Sequence, residues 1–209
     1  MVEPRDWRAG LEAASVFAAI LLYMWWMRAR IPLAWLAILG AVVLSQWMRR
    51  EGAADLGFRL YGLKAAFLEV LPSLLLVILA LLAAGLLLNT LRSNDPERSG
   101  LNLLAYLPWG LLQQYLLNAY FANRLRRALG GDRAAAWGVA ALFATAHVPN
   151  LFLMGVGLAG GYACARLYQK HRNLYLLGIL HGAIGWTLHF TLPDRLTHFF
   201  IVGPGYFGR

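Results

Sequence analysis

The stretch LPWGLLQQYLLNAYFANRLRR, residues 107–127, sets Gln113 and Gln114 side by side in an apolar run, with Asn118 four residues on. In FATAH, residues 143–147, Phe143 stands one helical turn before His147, and Asn150 follows in the adjoining HVPN. The run LGILHGAIGWTLHF carries His181, Gly185 and His189. Amides and imidazoles can position a substrate, move a proton or bind a metal. On a helix, Gln114 and Asn118 lie one above the other, and Gln113 is about 100° round from Gln114. Gly185, one turn after His181, leaves open space beside that imidazole. There is no HExxH, and no Asp or Glu falls near His147 or His181. Zinc would need long-range convergence of histidines, and haem would need a ligand pair from two helices. No metal and no cofactor is assigned. Cys164, alone and inside an apolar run, reads as a small buried residue.

These groups must be positioned by elements that live in an apolar setting. The chain is 60% hydrophobic with a mean hydropathy of +0.55, and only 14% of it is charged. A soluble domain carries about 25% charged residues. The reading is an all-α integral membrane protein, a polytopic bundle of about seven transmembrane helices forming one membrane domain over residues 1–209. The seven segments are roughly 11–27, 31–48, 66–89, 101–122, 134–149, 151–169 and 174–192. The fifth and sixth are parted only by a tight turn at Pro149. Residues 196–207, with GPGYFG, are not expected to span. The N-terminus lacks a secretory signal, because Glu3 and Asp6 oppose a positive start and WWMRAR replaces a cleavage site.

A net charge of +9 could suggest nucleic acid, but the basic residues sit between apolar runs, so nucleic acid is not a partner. With alternating spans, thirteen Lys and Arg fall on the N-terminal side and six on the other. That places the N-terminus in the cytoplasm. The bilayer is the first partner, and the plasma (inner) membrane the expected location. Leu56, Leu60 and Leu63 suggest an interfacial amphipathic segment over 50–65, and 92–100 a polar loop. Gly157, Gly161 and Ala165, spaced by four, suggest close helix packing. Glu12 and Glu69 lie near cytoplasmic ends and are expected to reach water.

Polar groups in lipid need partners, and three helices here each present them. Their order resembles the CPBP family of intramembrane proteins, which includes CAAX prenyl endopeptidases and bacteriocin-processing or immunity proteins. QQYLLN at 113–118 falls where that family has EExxxR, FATAH at 143–147 is its FxxxH, and HGAIG at 181–185 falls where it has HxxxN. The lead-in LGFRLYGLK is similar too, and the family-like core covers residues 100–192. The resemblance implies hydrolysis of membrane-bound or prenylated peptides. It assigns the catalytic positions to His147, His181, Gln113, Gln114 and Asn118. Phe143, Asn150, Gly185 and His189 are the substrate-side candidates. Glutamines replace both acids, Asn118 the arginine and Gly185 the asparagine, so the pocket carries no fixed charge. Three readings stay open: a peptidase with imidazole as base, a non-catalytic relative binding a peptide, lipid or prenyl chain, and a purely structural lock.

Overall fold

The computed structural model describes residues 5–92 and 96–208. Among these residues the regular structure is helical, with no strand. Helix α1, Trp7–Leu22, runs on through a π-helical turn, Tyr23–Met27. It is followed by α2, Ala34–Met48, and α3, Leu63–Leu87. Helix α4, Pro96–Gln114, passes without a break into a π-helical segment, Tyr115–Ala122, and then α5, Asn123–Leu129. The remainder is α6, Asp132–Thr145, α7, Leu151–His171, α8, Leu174–Thr191, and the short α9, Asp194–Thr197. Each apolar run read from the sequence has become one long helix. Among the described residues three are long and apolar enough, by length and composition, to cross a membrane: Trp7–Met27, Leu63–Leu87 and Leu151–His171. On α3, Leu76, Leu79 and Leu87 are 69%, 61% and 87% exposed, an outer face suited to hydrocarbon rather than water.

Side-chain caps set several helix starts. Asp6 accepts from Ala9 N at α1, Asn150 from Leu153 N at α7, and Asn173 from Leu176 N at α8. Gly130, with φ +75°, ends α5 in the left-handed conformation that glycine tolerates. The core has two parts. One centres on Leu174, Leu176 and Leu177 against Val70 and Leu74. The other centres on Tyr120, Phe121 and Val139 against Val42 and Ala165. Gly161 packs so closely on α6 that a Cβ there would stand 3.1 Å from Ala140 Cα. The small-residue spacing of α7 therefore does the packing expected of it.

One end of the bundle collects the basic loops. Asp6 N donates to Arg127 O, and Leu174 N to Gly57 O. Arg124 is fully buried there, bonded to Glu12 at 2.9 Å, Glu51 at 2.6 Å and Ser45 at 3.0 Å, with its guanidinium over the Tyr120 ring. Arg49 adds bonds to Glu12 and Asp6. The opposite end is tied by Arg92 to Asp194 and by Gly203 N to Val148 O.

Two expectations are corrected. Glu12, 34% exposed, is taken up chiefly by Arg49, Arg124 and Ser45, because the fully buried Arg124 needs a counter-ion. Glu69, by contrast, is half-exposed as expected, and it pairs with Lys170 and His171. Residues 50–65 do not form an amphipathic helix. Positive φ at Gly57 (+92°) and Gly62 (+75°) breaks the chain into turns, burying Leu56 and leaving Leu60 75% exposed. Of the polar loop read at 92–100, residues 93–95 lie outside the described residues and α4 already begins at Pro96.

Candidate active site

Gln114 closes α4 and is 1% exposed. Its Nε2 lies 2.8 Å from His181 Nδ1 on α8, and its Oε1 accepts from Asn118 Nδ2 at 2.6 Å. The π-helical segment that follows is held by a residue the sequence reading passed over. Gln46, buried on α2, accepts from Tyr115 OH at 2.5 Å and donates to Ala119 O at 3.2 Å. Asn123 Nδ2 donates to the same carbonyl at 2.9 Å. A wide π turn is a common way to aim side chains at a site, and here side chains from both flanks fasten it.

His147 lies beyond the end of α6, in the turn that leads to α7. Its Nδ1 is 2.7 Å from Phe143 O. The Phe143 ring packs against both imidazoles, at 4.7 Å from His147 and 5.8 Å from His181 between centroids, and the imidazoles are within electrostatic reach of each other. The shared contact with Phe143 brings the His147 turn and α8 together at this point. Gly157 admits this turn: a Cβ there would be 3.4 Å from His147 Nδ1. Cys164 lies against Gln114 from α7.

The partners decide the tautomers. An amide nitrogen only donates, so His181 Nδ1 accepts and its ring proton is on Nε2. A carbonyl oxygen only accepts, so His147 carries its proton on Nδ1. With the amides so oriented, His181 presents a donor at Nε2 and His147 a lone pair at Nε2. Among the described residues no Asp or Glu bonds to Gln114, Asn118, His147 or His181, and no cluster of three metal-ligating side chains occurs.

The other candidates are placed differently. Gln113 is partly exposed and makes no side-chain hydrogen bond to a described residue. Asn150 is fully buried as the α7 cap, donating to Thr197 O and Ile201 O, so its amide is spent on the C-terminal segment. His189 lies two turns beyond His181 and packs between Tyr106 and Phe200. Gly185 does not leave open space. The Tyr106 ring of α4 fills it, and a Cβ would stand 3.3 Å from that ring. The α4–α8 contact itself rests on glycines. A Cβ on Gly110 would be 2.9 Å from Gly182 N and 3.0 Å from Gly178 O. The signal was GILHG, a small-xxx-small repeat around His181.

Residues 101–187 match the family described as type II CAAX prenyl endopeptidase Rce1-like. The match begins in α4, ends in α8 and contains Gln114, Phe143, His147 and His181. Over this segment, a little under half of the chain, the sequence is similar to that CPBP-type family. The apolar helices and this match together mark the chain as a membrane protein. No curated protein and no solved structure matches the chain.

Proposed function

We propose that the chain is a multi-pass, single-domain CPBP protein of about seven spans with a cytoplasmic N-terminus, and an intramembrane endopeptidase-like enzyme acting on membrane-associated peptides. The observation that carries this reading is the placement of Gln114 Nε2 at His181 Nδ1 and of Phe143 O at His147 Nδ1 inside the matched segment, from which we infer a lone pair at His147 Nε2 and a proton at His181 Nε2. His147 Nε2 takes a proton from water while the oxygen attacks the peptide carbonyl carbon. His181 Nε2–H donates to the oxyanion that forms. The His147 imidazolium then gives its proton to the leaving nitrogen as the C–N bond breaks. Gln114 holds the His181 tautomer, and Asn118 orients Gln114. Phe143 and Gln113 stand on the substrate side. A peptide amide is neutral, so a site free of fixed charge does not have to desolvate an ion to receive it.

A second reading has its own observation. Tyr106 fills the place beside Gly185, and among the described residues no carboxylate meets the imidazoles. This suits a non-catalytic relative that holds a peptide, lipid or prenyl chain. Proteoliposomes carrying membrane-anchored and prenylated peptides, read by mass spectrometry, separate the two. The enzyme reading expects wild-type cleavage and a loss of about 100-fold or more in His147→Ala. No wild-type cleavage, with turnover gained in Gln114→Glu, would establish the second.

A further inference from the structure

Arg172 follows α7 with φ +44°, in the left-handed conformation where glycine is the usual residue. A non-glycine residue there costs about 1 kcal/mol, so the side chain must have a use. Its guanidinium lies over the Tyr168 ring and donates to Asn123 Oδ1 at 2.8 Å. Among the described residues it has no carboxylate partner. The partly or fully buried Arg49, Arg92 and Arg124 each have at least one. Arg172 borders a cavity of about 100 Å³ at the basic end of the bundle, together with Arg126. Arg126 reaches Asp132 through Nε at 2.8 Å, leaving its terminal nitrogens without a partner among the described residues. Gln169 is occupied on both sides, by Arg166 and by Asp132 O. The cavity therefore gathers two guanidiniums against one carboxylate.

We infer that this cavity is a binding site for a phosphate group, separate from the imidazole site. Two guanidiniums on different elements suit a tetrahedral oxyanion, which accepts from several directions. A cavity of this volume holds about three waters at about 30 Å³ each, room for one such group. It lies where α7 ends, next to the basic loops, so the phosphate can come from a lipid headgroup or from solution.

The test uses the full chain in nanodiscs at matched ionic strength set with sodium chloride, so that general screening is held constant. Thermal unfolding is followed with inorganic phosphate in phosphatidylcholine discs, and separately in discs containing phosphatidic acid. A shift with inorganic phosphate identifies a free anion. A shift only with phosphatidic acid identifies a lipid. In either case Arg172→Gly and Arg126→Gln should each weaken the apparent affinity by about tenfold or more. Arg172→Gly removes the guanidinium at a backbone position that favours glycine, so loss of binding there is not loss of fold. No shift with either probe, or shifts unchanged in both variants, overturns the inference.

Discussion

At the scale of single residues, Gln114 meets the cost of its burial by bonding to Asn118 and to an imidazole, while Asn118 Oδ1 is buried without a partner among the described residues. Gln114→Leu should leave His181 Nδ1 and Asn118 Nδ2 unmatched and destabilise the protein by about 1–3 kcal/mol, measured by chemical denaturation in detergent. Gly185→Asn, which restores the asparagine of the family pattern, should clash with Tyr106 and cost about 1–3 kcal/mol. Adding Tyr106→Ala should recover part of that loss. Strictly additive unfolding energies in the double variant would show that the two side chains do not meet. The site's main members could be read from residue type and spacing, because buried amides and imidazoles are rare in apolar runs. The filling of Gly185 could not, because it depends on a ring from a helix nearly eighty positions earlier. Gln46 was legible in kind, a lone amide in an apolar run, but nothing local ties it to Tyr115 and Ala119.

At the scale of elements, the α4–α8 seam sets the distance between Gln114 and His181. Gly110→Ala should push the backbones apart at Gly178 and Gly182, lowering stability by about 1–3 kcal/mol. It should also weaken the Gln114–His181 bond, visible as a changed His181 side-chain 15N spectrum. An unchanged spectrum with lowered stability would uncouple the seam from the site. The long helices were legible because their apolar runs match element lengths. The 50–65 segment was misread because leucines at helical spacing say nothing about the left-handed glycines between them. The π-helical segment has no sequence signature here; it follows from what Gln46 and Asn123 grip.

At the scale of the whole molecule, charge is concentrated at one end and excluded from the imidazole site. Asp6 is held below its ordinary value of 3.8, first by its hydrogen bond to Arg49 and then by the Ala9 amide. A lowered folded value means stability that is present above pH 3.8 and is lost as pH falls through the folded value. Melting curves at descending pH should show wild type losing stability below that point and Asp6→Asn losing less. Arg124→Met should be far more damaging, about 3–5 kcal/mol, because Glu51 and Glu12 would lose a buried counter-ion. That the basic residues sit between the apolar runs was legible in the sequence. The convergence of Arg124 with residues 73 to 112 positions away was not, since charge counts give sides and not partners.

The central claim is a neutral site in which Gln114 and Phe143 O hold two histidines in opposite tautomers. Side-chain 15N NMR of the histidine-labelled protein in lipid, assigned with His147→Ala and His181→Ala, reads this directly. The account predicts His147 protonated on Nδ1 and His181 on Nε2, with the His181 signals altered in Gln114→Leu. Both rings protonated on the same nitrogen, or a His181 spectrum indifferent to Gln114, would contradict it.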